Sequence, residues 1–222
     1  MFEDLEQYER QVYSQCGEDG VIARIFECIG ETNRSFVEFG ARDGVELSNT
    51  ANLRLHHGWQ GLLMDGDARV DDPLVRREFI TAENINDLLV KWQVPARPDL
   101  MSIDLDGNDY WIWKALDAVQ PRVVIVEYNV FFGLHVSKAI AYNPTHIWDE
   151  TSYHGASIAA MHSLGDRKGY ALVYTDTYAP NAYFVLRSEL PDDYVELPLE
   201  SVARNPWSDE PADSAHREWV VV

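Results

Sequence analysis

The chain has 222 residues, 46% apolar and 12% aromatic, so it can bury a full core and is not disordered as a whole. Its formal net charge of −19 repels phosphate backbones and anionic lipid, so neither nucleic acid nor a membrane surface is an expected partner. No apolar run reaches the roughly 18 residues of a membrane span, and the acidic start MFEDLEQYER lacks the order of a secretory signal.

Residues 1–33 read as a helical segment, with Val21, Ile22, Ile25, Phe26 and Ile29 near a 3.6 period and Gly30 as the stop. Cys16 and Cys28 fit no zinc spacing and read as free thiols of a cytoplasmic protein. Strands are expected at 35–40, 60–67, 77–82, 100–106 and 122–129. Helices are expected at 48–58 with Ser48 as N-cap, then at 84–92, 109–119 and 155–169. The segments 170–176 and 181–190 follow with no helix between them and read as a closing hairpin. The stretch 191–222 holds several acids and prolines and is expected to be a loosely packed extension of a single domain over 1–190. Alternating strands and helices predict an α/β fold with a mostly parallel sheet covered on both faces, the hairpin adding an antiparallel edge strand.

Ligands of such sheets sit beyond the C-terminal strand ends. The first strand ends in Glu38-Phe39-Gly40-Ala41-Arg42-Asp43-Gly44, and the glycines permit a tight turn and close backbone approach. This is neither the dinucleotide G-x-G-x-x-G nor a phosphate loop. The second strand ends in Met64-Asp65-Gly66-Asp67, an acid roughly 20 residues past the turn, where a carboxylate suits a ribose diol. A ribose-binding acid without a pyrophosphate loop points to S-adenosylmethionine. Asn84, after the third strand, is placed to meet the adenine edge. The plainer alternative makes Gly40 and Gly44 turn glycines and Asp65 a surface acid.

The segments YSQCGEDGVIARIF (13–26), FVEFGARDGVELSNTANL (36–53), GWQGLLMDGD (58–67), SIDLDGNDYWIW (102–113), VVIVEYN (123–129) and 153–187 resemble FkbM-type S-adenosylmethionine-dependent methyltransferases. The resemblance implies a Rossmann-like class I methyltransferase sheet of seven strands with an antiparallel C-terminal hairpin strand. It implies O-methylation of a small-molecule or sugar hydroxyl, with a small molecule or glycan as substrate. Glu38, Gly40 and Gly44 would line the methionine and sugar, Asp65 would take the ribose hydroxyls, and Phe39, Ala41, Asn49, Gly66 and Asp67 complete that side. The SQCGEDG segment would act as an N-terminal lid, with Gln15 and Glu18 near the methionine. Many relatives carry I-D-V-E-G after strand four, where this chain has Ile103-Asp104-Leu105-Asp106-Gly107.

Asp104 and Asp106 end strand four, and Glu127 and Asn129 end strand five. Clustered acids either bind a divalent cation such as Mg through oxygen, or hold one carboxyl protonated beside another that acts as base. Asp104, Glu127 and Asn129 form the candidate metal set, and Asp104 and Asp106 the candidate catalytic pair. The plainer alternative has Asp104 contacting the cofactor, Asp106 capping the next helix and Glu127 as a paired buried acid. His135 is the candidate general base, with His146 as its rival on the same stretch of chain. The rival functions are a metal-dependent enzyme of another kind on a related sheet, and a non-catalytic binding module.

Overall fold

A computed structural model describes residues 2, 4–67, 73–177, 180–203, 213 and 215–222. Helix α1 (Glu18–Ile29) is followed by β1 (Ser35–Phe39), α2 (Ala51–His56), β2 (Gln60–Asp65), β3 (Val75–Arg77) and α3 (Ile85–Lys91). Then come β4 (Leu100–Ile103), α4 (Asp109–Ala115), β5 (Val123–Glu127), β6 (Lys138–Ile140) and α5 (Ile158–Arg167). The chain closes with β7 (Tyr170–Thr175), β8 (Asn181–Leu186), α6 (Leu199–Val202) and β9 (Trp219–Val221).

Seven strands form one sheet in the order β3-β2-β1-β4-β5-β8-β7. The pairs β1–β2, β2–β3, β1–β4 and β4–β5 are parallel, while β8 runs antiparallel to both β5 and β7. This is the expected α/β architecture, with one difference. The antiparallel strand lies inside the sheet, and β7 forms the edge. Strand β8 lies between β5 and β7 and is buried along its whole length, as an interior strand must be. The chain leaves β1 toward β2 and β3 on one side, then crosses to β4 and β5 on the other, so the order switches between β1 and β4.

The pleat sorts the strands into two cores. Val37, Phe39, Met64, Met101, Ile103, Val124 and Val126 face α3, α4 and α5 through Ile85, Ile112, Trp113, Met161 and Leu164. Phe36, Leu63, Leu100, Val123, Ile125, Tyr183 and Val185 face α1 through Val21, Ile22, Ile25 and Phe26. Helix α1 is helical because those apolar residues recur on one stripe, and it ends where Gly30 adopts φ 70°.

Several expected boundaries move. The third strand is three residues long and lies earlier, because 78–82 turns away from β2 into the cap of α3. Before α1 the described N-terminal residues hold a 3-10 turn at Leu5–Tyr8 and a bridge from Ser14 to Leu47. The C-terminal stretch also does more than the sequence suggests. Strand β9 pairs with β6 in a small antiparallel sheet, and the Val202 and Ala203 side chains join the core. Residues 204–212 and 214 of that stretch lie outside the described residues.

At the N-terminal ends of β4 and β5 the buried Arg122 guanidinium holds the frame together. It donates to Asp99 Oδ1 at 2.9 Å, to Glu189 Oε2 at 2.7 Å and to the carbonyls of Gly30 and Ile29. Asp99 also accepts from the amides of Thr32, Asn33 and Arg34. Burial works to raise the Asp99 carboxyl, but the Thr32 and Arg122 donors outweigh it and hold it below its ordinary value. Removing one partner of a buried pair leaves an uncompensated charge. Arg122→Ala should therefore lower stability by about 3–5 kcal/mol in urea unfolding. Arg97→Ala, which removes an exposed partner of the same Glu189, should change it by only about 0–1 kcal/mol.

Candidate functional site

The C-terminal rim of the sheet carries polar residues of one parity. Glu38 lies two residues past Phe36, Asp65 two past Leu63, Asp104 four past Leu100, Glu127 two past Ile125, and Asn181 two before Tyr183. A period of two puts all five on the face that α1 covers. The register aligns them, since Ile103 pairs with Val126 and Glu127 pairs with Asn181.

The β1–α2 turn wraps around Glu38. Its buried carboxylate accepts from the Ser48 hydroxyl at 2.7 Å, the Asn49 amide at 2.8 Å and the Thr50 hydroxyl. Burial raises the Glu38 carboxyl despite these donors. Asn49 donates onward to Ser102 Oγ at 3.0 Å, tying the turn to β4. Ser48 lies before α2 rather than at its cap, and its hydroxyl accepts from the Thr50 and Ala51 amides. Gly40 sits at φ 70°, and a Cβ there would lie 1.7 Å from the Asp104 carbonyl oxygen. Only glycine lets β1 and β4 approach so closely at the switch point.

Asp65 accepts from the Arg42 amide at 2.8 Å and the Asp67 amide at 2.6 Å. Glu38 and Asp65 thus grip the same 40–50 segment from two neighbouring strands. Ala41 is fixed by its amide to Met64, and Gly44 at φ 75° lies against Leu63. Gly66 packs beside Phe79. The Phe39 side chain belongs to the opposite core, so only its backbone faces the rim. Asn84 is placed differently from the sequence reading. Its amide accepts from Thr81 N and donates to the Phe79 carbonyl, closing the turn before α3, which leaves it engaged locally.

The turn after β4 is organised by Asp109, whose oxygens accept from the Leu105 and Gly107 amides at 2.7 and 2.9 Å. Asp109, and not Asp106, therefore caps this turn. Asp106 stands exposed at φ 51°. Oxygens of Asp104, Asp106 and Glu127 lie within 4.8 Å of one another. Burial is the main cause that raises the Asp104 and Glu127 carboxyls, and the repulsion of Asp106 on Asp104, and of Asp104 on Glu127, adds to it.

Asn129 does not join them. Its Nδ2 donates to the Ser152 and His154 carbonyls and its Oδ1 accepts from Phe131, so it pins the following loop. His135 is also elsewhere: its ring is exposed, 3.7 Å from Glu200, because the loop after β5 runs out over the surface before β6. His146 is the histidine at the site. Its ring packs on Gly107 and bonds the Asp106 backbone, and its Nε2 is buried without a partner. Burial is the leading cause that lowers its pKa, so the ring is neutral near pH 7.

The N-terminal segment reaches the rim through Glu18, which accepts from Asn181 Nδ2 at 3.0 Å and from the Cys16 amide at 2.7 Å. Gln15 is exposed, its carbonyl bonded to Gln11. Beside Glu18, Asp176 is buried, accepts from the Tyr183 hydroxyl at 2.6 Å, and has one oxygen without a partner. Asn181 escapes a search of C-terminal strand ends because it begins an antiparallel strand, whereas Asp176 stands at the end of the edge strand, in the stretch read as the closing hairpin. Two hollows, of about 510 Å³ beside Arg34, Gln60 and Trp92 and about 280 Å³ beside Trp113 and Lys168, open away from this rim.

No family model and no curated protein matches the chain. Among solved structures it is similar to the citrinin polyketide synthase CMeT domain, at 10% identity over 76% of this chain and 50% of that one, with a TM-score of 0.44. It is similar to an O-methyltransferase family protein from Burkholderia thailandensis, at 9% identity over 76% and 56%, with a TM-score of 0.41. It is similar to CalO1, a methyltransferase in calicheamicin biosynthesis in its SAH-bound form, at 15% identity over 74% and 54%, with a TM-score of 0.38. The chain thus spans about half the length of the chains it matches.

Asp176 gives a pH prediction. Burial first, then Glu18 and Glu9, push its carboxyl well above its ordinary value of 3.8. The fold then keeps a proton that the unfolded chain releases, so this group's contribution to stability is full below about pH 4 and is lost as pH rises. Glu18, Glu9, Tyr174 and Tyr183 face it with no cation among them. In Asp176→Asn, which keeps an acceptor for Tyr183, the fall in melting temperature from about pH 4 to 8 should be shallower than in the wild type.

Proposed function

We propose that this chain is an S-adenosylmethionine-dependent methyltransferase of the FkbM type. It transfers the methyl group to a hydroxyl oxygen of a small molecule or sugar. The observation that carries the reading is the acidity of the rim: Glu38, Asp65, Asp104 and Glu127 stand at strand ends around the switch between β1 and β4, and Glu18 of α1 meets Asn181 at the same rim. Such a rim repels the pyrophosphate of a dinucleotide and favours a nucleoside bearing a sulfonium and an ammonium. Asp65 retains acceptor capacity for the ribose diol beyond its two amide donors.

The chemistry asked of these residues is alignment and proton removal. The carbon–sulfur bond breaks as the oxygen–carbon bond forms, the sulfonium becomes a neutral thioether, and the hydroxyl proton leaves to a base. Asp104, Asp106 and His146 stand where that base is needed, and the lowered pKa of His146 leaves its ring able to accept a proton at neutral pH. The cytoplasm is the proposed location, because both cysteines are free thiols. Among the described residues no helix is long and apolar enough to cross a membrane.

Titration calorimetry of the whole chain with S-adenosylhomocysteine tests the reading. Binding is expected, and Asp65→Asn should weaken it at least about tenfold, or about 1.4 kcal/mol, without changing the melting temperature of the free chain by more than a few degrees. The absence of any binding heat or thermal shift would overturn it.

A further inference from the structure

We propose that Asp104, Asp106 and Glu127 form a site for one divalent cation of the magnesium or manganese class. Three carboxylate oxygens, one from each residue, lie within 4.8 Å of one another. Donors so spaced need shift inward by less than about 1 Å each to hold an ion at the usual 2.0–2.6 Å or so from oxygen. The donors are all oxygens, which selects a hard cation over zinc or copper.

A second observation, separate from the clustering, points to a ligand. Glu127 is 6% exposed, and its Oε2 is buried with no hydrogen-bond partner. A carboxylate oxygen taken from water and left without a donor is costly, and coordination is one of the few ways to satisfy it. Among the described residues no lysine or arginine forms an ion pair with any of the three carboxylates; the Arg42 guanidinium, 3.8 Å from Glu46, acts on Asp106 only through space. Asp106 is exposed, which gives an ion a path from solvent and leaves room for coordinated water.

The surroundings hold this geometry. Asp109 is not one of the three clustered carboxylates; its oxygens accept the Leu105 and Gly107 amides, and that grip shapes the turn bearing Asp104 and Asp106. Asn129 is excluded because its amide holds the 152–154 loop. The ligand set is therefore two carboxylates of one turn and one from the neighbouring strand. An ion there would polarise the acceptor hydroxyl and ease loss of its proton. That role rests on the methyl-transfer reading, whereas the binding itself does not.

The test uses the full chain, stripped with a chelator and titrated with Mn²⁺, free ion being read by electron paramagnetic resonance. One Mn²⁺ per chain is expected, displaced by Mg²⁺. Asp106→Asn and Glu127→Gln should each weaken it at least tenfold, and Asp87→Asn, on the exposed face of α3, should leave it unchanged. If Glu127→Gln does not fold, the exposed Asp106 variant decides. No Mn²⁺ binding, or binding that both variants leave intact, overturns the site. S-adenosylhomocysteine calorimetry in chelator separates the two ideas: its failure with Mn²⁺ binding intact removes the methyl donor and keeps the ion, and the reverse removes only the ion.

Discussion

The site depends on the period of the pleat. Five strands bring a polar side chain to the C-terminal rim on the same face, and a period of two makes that agreement all or nothing. A one-residue slip of β5 against β4 would send Glu127 to the core of Trp113 and bring Val126 to the rim. The slip is prevented by the apolar residues below. Val123 and Ile125 must meet α1, while Val124 and Val126 must meet the helices opposite. The hydrophobic pattern that stabilises the sheet thereby also fixes where the carboxylates lie.

The two ends of the sheet treat buried charge in opposite ways. At the N-terminal end, Asp99 and Arg122 satisfy each other; Asp99 also accepts from the Thr32, Asn33 and Arg34 amides, and Arg122 also donates to Glu189. At the rim, Asp104, Asp106 and Glu127 meet one another instead, and burial and repulsion raise the Asp104 and Glu127 carboxyls. The first arrangement supports the fold. The second opposes it, since each raised carboxyl makes the native state harder to hold as pH climbs. Strain of this kind, placed where the strand order switches, is characteristic of a surface arranged for a ligand.

The architecture was legible because β-branched and aromatic runs alternate with helical stretches, and because 170–190 offers two strands and no helix. The position of β8 within the sheet was not, since a hairpin sequence does not say on which side its second strand docks. At the site, Glu38, Asp65 and Asp104 could be found by asking what stands at each strand end. Asn84 and Asn129 were drawn into the set by position alone, yet an amide at a turn bonds its own backbone first. The choice between His135 and His146 turned on where one loop returns to the sheet, which depends on pairing of β6 with the distant β9. No local pattern carries that information.

The N-terminal segment extends the same logic beyond the sheet. Helix α1 docks by its apolar stripe, which directs its first residue, Glu18, at Asn181 on the strand beside Glu127. Glu9 reaches Tyr174 and the Thr177 amide at the far end of the same edge. The segment is therefore held at the rim by carboxylates that enter an already acidic corner, against their mutual repulsion. Packing of Val21, Ile22, Ile25 and Phe26 supplies what the electrostatics oppose. A cation at the rim would relieve the repulsion between Glu18 and Asp104.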